Sequence, residues 1–179
     1  MWGGKKEAPK LKLGTGSFGS LISSFMKKSA SILNGKKVLI VDDEKDILDS
    51  LTELLSICRV ETALSYEKAK ELLDSKSYDV AILDIMGVRG YELLEIANNR
   101  NIPALMLTAH ALSEEHLKQS ARRGAAYYVP KDEISKIEVF IADVLDARQK
   151  KESPWERWLD RLGDFFNEKF GASDWRDNG

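Results

Sequence analysis

Apolar and polar positions along the chain keep two alternating rhythms. Lys37-Val38-Leu39-Ile40-Val41-Asp42 is a short apolar run closed by an acid, the pattern of a strand buried on both faces. Behind it Ile47, Leu48, Leu51, Leu54 and Leu55 recur at helical spacing. Val60-Glu61-Thr62-Ala63 predicts a weaker second strand, and Ala69, Leu72 and Leu73 mark one face of a helix over 66–73. Asp79-Val80-Ala81-Ile82-Leu83-Asp84 predicts a third strand, and Leu93, Leu94 and Ile96 a short helix over 91–98. Ile102-Pro103-Ala104-Leu105-Met106-Leu107 predicts a fourth, with Pro103 at its entry where a missing donor is tolerated. Ser113 offers a hydroxyl cap to a helix running through Arg123. Ala126-Tyr127-Tyr128-Val129 predicts the fifth strand, and Ile137, Phe140, Ile141, Val144 and Leu145 the inner face of a last helix over 134–148. Strands alternating with helices of these lengths predict an α/β fold, a parallel sheet covered on both faces. Right-handed crossovers restrict its topology, and ligands of such sheets sit at the carboxyl ends of the strands, near the point where strand order reverses.

Two flanks depart from this rhythm and divide the chain into blocks 1–35, 36–148 and 149–179. In the first, Phe18, Leu21, Ile22, Phe25, Met26, Ile32 and Leu33 fall at helical spacing, broken around Ser29. With Lys27 and Lys28 beside it, such a stripe over 18–33 suits weak contact with an anionic membrane surface or a partner's groove. Ser and Gly are poor helix formers, which favours the blander reading, packing on the middle block or no fixed structure. Gly14-Thr15-Gly16-Ser17-Phe18-Gly19 has the look of a kinase phosphate loop, but the strand-borne lysine and catalytic-loop motifs that must accompany one are missing, so it reads as a Gly-rich linker. In the last block Ser153 can cap a helix with Pro154 in its first position. Trp155, Trp158, Leu159, Leu162, Phe165 and Phe166 then form an aromatic stripe opposite Glu156, Arg157, Asp160, Arg161 and Asp164. A patch of that size needs a cover, supplied by the middle block, the N-terminal segment, a second copy in a homodimer, or a partner.

Charge and composition narrow the function. The net charge of −2 over 179 residues is spread unevenly, the first 35 residues holding Lys5, Lys6, Lys10, Lys12, Lys27 and Lys28 against Glu7 alone. Neither this balance nor the C-terminal tail, which is short and not basic, suits a DNA-binding output domain. A single cysteine, Cys58, excludes an internal disulfide and a Cys-rich metal site, and reads as a small apolar packing residue. No apolar run approaches the ~20 residues that span a bilayer, and no signal peptide is apparent, so the expected location is the cytoplasm.

The chemistry gathers at strand ends. Asp42 and Asp43 close the first strand, Asp84 the third, Thr108 follows the fourth and Lys131 the fifth. Any one of these acids alone is commonly a helix cap. Together they fall on one edge of one sheet. Three carboxylates brought together repel and raise one another's pKa unless a cation intervenes, and a hard ion such as Mg²⁺ takes oxygen ligands of this kind. Lys131 can neutralise further charge and Thr108 can offer a hydroxyl to an oxyanion. A carboxylate so surrounded is equipped to accept a phosphoryl group.

Val38-Leu39-Ile40-Val41-Asp42-Asp43-Glu44, Ala81-Ile82-Leu83-Asp84-Ile85-Met86, Leu105-Met106-Leu107-Thr108-Ala109 and Tyr128-Val129-Pro130-Lys131 resemble the four signature segments of response-regulator receiver domains, over about residues 36–148. The resemblance implies a flavodoxin-like doubly wound sheet in the order 2-1-3-4-5. It also implies phosphorylation of Asp84 by a sensor histidine kinase or phosphotransfer protein. Mg²⁺ would be held by Asp43, by Asp42 partly through water, by Asp84 and by the Met86 backbone carbonyl. Thr108 and Lys131 would receive the phosphoryl oxygens, and Thr108 with Tyr128 would form the switch. Two departures stand out. The loop Asp84-Ile85-Met86-Gly87-Val88-Arg89-Gly90 is two residues shorter than is common and lacks its Pro, and Pro130 precedes Lys131 where receivers usually place a Pro after the lysine. Met86 and His110 occupy positions that tune phosphoryl lifetime in the family, whereas His116 reads as a solvated helix residue. The expected function is a stand-alone receiver, not an enzyme, that signals to a downstream protein. The alternative is a scaffold that keeps the fold without the switch. An aspartyl phosphatase would carry Asp-x-Asp on its first strand, where this chain has Asp42-Asp43.

Overall fold

The computed structural model describes residues 27–109 and 114–170, the side chains of Glu114 and of residues 164–170 excepted. Strands β1 (Lys37–Val41), β2 (Arg59–Ala63), β3 (Val80–Asp84), β4 (Ala104–Thr108) and β5 (Tyr127–Pro130) form one sheet in the order β2-β1-β3-β4-β5. Every pairing is parallel. Helices α1 (Lys45–Leu54), α2 (Tyr66–Ser75), α3 (Gly90–Asn99), α4 (Glu114–Arg122) and α5 (Ile137–Lys150) follow the strands in turn, and α6 (Pro154–Phe170) is added at the C-terminal end. This is the order that the resemblance implies.

The central strands β3 and β4 are buried at every residue, which is why Val80–Leu83 and Ala104–Leu107 carry apolar side chains on both faces instead of alternating. Strand β2 lies at one edge, and its pattern of exposed and half-buried residues explains its weaker signal. Helix α2 begins at Ser65, whose hydroxyl accepts the Lys68 N–H, and it buries Ala69, Leu72 and Leu73 as the 3.6-residue period requires. Several boundaries move. Strand β4 starts after Pro103, and residues 131–136 form a 3-10 turn, so the last helix of the middle block starts at Ile137 instead of residue 134. The inward set Ile137, Phe140, Ile141, Val144 and Leu145 is buried. The cap expected at Ser113 lies outside the described residues, as do His110, the Gly14–Gly19 stretch and most of the amphipathic stripe over 18–33.

Strand β5 is the other edge of the sheet, and α6 covers it. Trp158 Nε1 donates to the Tyr128 carbonyl (2.7 Å) and Trp155 Nε1 to the Ala125 carbonyl (3.0 Å). Indoles bring apolar area together with a donor, so they can seal an edge that would otherwise template strand pairing. Trp158 and Leu162 are buried, but Leu159 is 41% exposed, so the apolar stripe is narrower than the sequence suggests. Asp143 and Asp146 on α5 meet Arg157 and Arg161 of α6, with Asp146 also 3.8 Å from Lys28. The helical residues 27–33 return to the body through Leu33, which is buried. The Leu33 carbonyl accepts from Cys58 Sγ at 3.4 Å. No helix among the described residues is long and apolar enough to cross a membrane.

Candidate functional site

Register brings the polar strand ends together. Val41 pairs with Leu83, so Asp42 and Asp84 stand side by side at the ends of β1 and β3. Asp84 pairs with Leu107 and Thr108 with Pro130, which brings Thr108 and then Lys131 to the same edge. Strand β1 has β2 on one side and β3 on the other, so the acids lie where chain order reverses. A cleft of about 550 Å³ lined by Lys36, Asp79, Arg100 and Arg148 opens at the opposite edge and takes no part in this site.

Asp42 is fully buried, Asp84 and Thr108 nearly so, and Asp43 is exposed. One carboxylate oxygen from each of Asp42, Asp43 and Asp84 lies within 4.8 Å of the others. Lys131 Nζ reaches Asp42 Oδ2 at 2.8 Å, Glu44 Oε1 at 2.7 Å and Asp84 Oδ1 at 3.1 Å. Asp42 Oδ1 accepts the Glu44 N–H (2.9 Å) in an Asx turn just ahead of α1, and Asp84 Oδ2 accepts the Gly87 N–H (2.6 Å).

Charge at the site is unbalanced: Asp42, Glu44 and Asp84 share the Lys131 ammonium, and Asp43 adds a further carboxylate beside Asp42 and Asp84. Burial lifts the Asp42 carboxyl above its ordinary pKa and the Asp84 charge adds to that, against the lowering effect of Lys131 and the Glu44 N–H. Burial alone would lower the Lys131 ammonium, but Asp42, Glu44 and Asp84 prevail and hold it above the ordinary lysine range. Asp42 Oδ2 is buried without a well-aligned hydrogen bond, despite the nearby ammonium. Oxygen donors, surplus negative charge and a raised carboxyl fit a hard divalent cation such as Mg²⁺.

Thr108 and Tyr128 are also brought together. Tyr128 is fully buried, and burial pushes its hydroxyl up to about 12 against the opposing hydrogen bond with Thr108. Met86 follows β3 and is 73% exposed. His116 is half-buried, not solvated: Tyr91 stacks on it with ring centroids 6.3 Å apart, and the Tyr91 hydroxyl lies 3.3 Å from Nδ1. Two contributors escaped the sequence reading. Glu44 follows the acidic pair directly and its contact with Lys131 spans 87 residues, so only its position beside Asp43 could have signalled it. Gly87 acts through its backbone, and the shortened loop was its one trace.

Residues 38–141 match the family model described as the response regulator receiver domain. A two-component response regulator of Arabidopsis thaliana, ARR18, is 35% identical over 101 residues, which make up 53% of this chain and 16% of that protein. The heme response regulator HssR of Staphylococcus epidermidis is 39% identical over 83 residues, 43% of this chain and 37% of that protein. The chain therefore spans well under half the length of these curated relatives. Among solved structures, a CheY-like response regulator receiver domain protein from Methanospirillum hungatei superposes with a TM-score of 0.60 at 30% identity, covering 66% of this chain and 99% of that one. The BeF3-activated receiver domain of DrrB gives 0.56 at 30% identity, covering 63% and 98%.

Proposed function

The chain belongs to the response regulator receiver family, and from that premise we propose that Asp84 accepts a phosphoryl group from a phosphohistidine on a sensor histidine kinase or phosphotransfer protein. The carboxylate oxygen of Asp84 forms the new P–O bond, the P–N bond breaks, and the imidazole nitrogen leaves with its electron pair and takes up a proton. Such transfer rests on positioning and charge stabilisation more than on covalent help from the protein. Lys131 holds one side of Asp84 and the Gly87 N–H the other, so the nucleophile is oriented before the donor arrives. The Lys131 ammonium and the Thr108 hydroxyl are the groups that meet phosphoryl oxygens. Asp43, Asp42, Asp84 and the Met86 carbonyl would hold Mg²⁺, which supplies charge neutralisation to the transferring group.

The single observation that carries this reading is Lys131 Nζ bridging Asp42, Glu44 and Asp84 at the mouth of the sheet. Receiver domains are signalling modules, and here the output is protein–protein contact. Engagement of Thr108 by the phosphoryl group frees Tyr128 from its hydroxyl partner. Tyr128 in turn shares its carbonyl with Trp158, so the face carrying β5 and α6 is where a downstream protein reads the phosphorylated state. A kinase partner and a lone cysteine point to the cytoplasm.

Intact mass after incubation with acetyl phosphate and Mg²⁺ tests the proposal. One phosphoryl adduct is expected on the wild type, dependent on Mg²⁺ and lost in Asp84→Ala. A folded wild type that takes no adduct would overturn it in favour of the phosphorylation-independent scaffold.

A further inference from the structure

The loop between Asp84 and α3 is confined to residues 85–89. Arg89 adopts a left-handed conformation (φ +55°), held by the Tyr66 ring 4.0 Å from its guanidinium and by an ion pair with Glu92. The next residue, Gly90, lies so close to β3 that a Cβ on it would stand 2.1 Å from the Asp84 carbonyl oxygen. The same tight closure brings Gly87 over the acid site.

Two observations at Gly87 are independent of each other. Its N–H donates to Asp84 Oδ2 at 2.6 Å. Its bare Cα faces Asp43: a Cβ there would stand 2.0 Å from Oδ1, 2.3 Å from Cγ and 2.6 Å from Oδ2, and these are its three nearest atoms. Backbone conformation does not call for glycine here, because the positive-φ glycines among the described residues are Gly35 and Gly124. At an ordinary φ, alanine would restrict the unfolded chain and stabilise the protein if room existed. Room is what is missing, and the atoms that fill it belong to an exposed carboxylate whose side chain can swing aside.

We propose that Gly87 is a positioning residue of the acid site: its N–H orients Asp84, and its missing side chain lets Asp43 turn inward to join Asp42 and Asp84. This rests on the reading of the three acids as a divalent-cation site. A methyl group at position 87 leaves the fold intact and displaces Asp43, so the loss falls on cation affinity while stability is kept. The tight 85–89 loop is thus accommodated where it crosses the site by a residue with no side chain.

The test is calorimetric titration with Mg²⁺ alone on the full chain, for wild type, Gly87→Ala, Asp43→Ala and the double variant, with metal-free thermal melts of each. Gly87→Ala should bind Mg²⁺ about 10–100-fold more weakly, the range seen when a residue supporting a metal ligand is lost. Its metal-free melt should match that of the wild type. The double variant should bind like Asp43→Ala, because position 87 acts through Asp43. Wild-type affinity in Gly87→Ala overturns the proposal, as does an equal further loss when Gly87→Ala is placed in the Asp43→Ala background. If Gly87→Ala fails to fold, a folded double variant supports the contact and an unfolded one overturns it. A wild type that binds no Mg²⁺ overturns the cation-site reading itself, a failure distinct from that of Gly87.

Discussion

Replacing Lys131 with Met keeps the length and apolar stem of the side chain and removes the ammonium alone. That ammonium lies 2.7–3.1 Å from three carboxylates. At an effective dielectric of about 20, each contact is a gross attraction of roughly 6 kcal/mol, most of which desolvation of the ions offsets. Removing one partner of a buried ion cluster strands the others, and the net cost is about 3–5 kcal/mol. For a chain of this size, that lowers Tm by roughly 6–20 °C. The cost depends on pH with a defined sign. Lys131 holds its proton more tightly in the folded state, so its stabilisation is fully present below the ordinary lysine value of 10.5 and fades only as pH rises through the folded value. Asp42 has a raised folded pKa, so its neutral form favours folding at low pH and that contribution is lost as pH rises from 3.8 through the folded value. Without Lys131 the Asp42 carboxyl rises further. The deficit of the variant is therefore large at pH 7.5 and shrinks on acidification, as the stranded Asp42 carboxyl takes up a proton. Urea unfolding of both proteins in metal-free buffer at pH 7.5 and at lower pH measures it. In parallel, the rate of adduct formation from acetyl phosphate should drop about 10²–10³-fold, the usual cost of losing one charge-stabilising donor. A deficit under about 1 kcal/mol at pH 7.5, or one that does not shrink on acidification, would refute the view of Lys131 as the charge that holds the cluster together.

Three further outcomes are expected. Trp158→Phe leaves the buried Tyr128 carbonyl without its donor and should cost about 1–3 kcal/mol in urea unfolding, more than Trp155→Phe, whose indole is only half-buried; equal costs would contradict the covered edge. Saturating Mg²⁺, at about a hundred times its Kd, should raise the wild-type Tm by roughly 5–10 °C at pH 7.5 and by less at pH 4.5, since the raised Asp42 carboxyl does not ligate once protonated, and an equal rise at both would place the ion elsewhere. Burial pushes the Cys58 thiol up to about 11, so its reaction with a disulfide reagent at pH 8 should be more than about tenfold slower in the folded protein than in urea, and equal rates would mean that the thiol is open to solvent.

Much of this protein is legible in its sequence, for a local reason. The doubly buried runs at Val38–Val41, Val80–Leu83 and Ala104–Leu107 and the helical faces at Ala69, Leu72, Leu73 and at Ile137–Leu145 announce their elements, because apolar periodicity is a property of neighbouring residues. The site was legible for the same reason: Asp42, Asp43, Asp84, Thr108 and Lys131 each stand at the end of a strand, and a parallel sheet gathers such ends on one edge. What only the tertiary structure decided is how distant groups meet. The contacts of Lys131 with Glu44, of Trp158 with the Tyr128 carbonyl and of Tyr91 with His116 join residues 25–87 positions apart, and no local pattern encodes them. The stripe in α6 foretold that it would be covered and left open by what; the edge of β5, whose carbonyls can accept from indoles, and the acids of α5, which match its arginines, settled that. Gly87 shows the limit most clearly, because its role lies in an atom it lacks, and a missing Cβ acquires meaning only when the fold presses Asp43 against it.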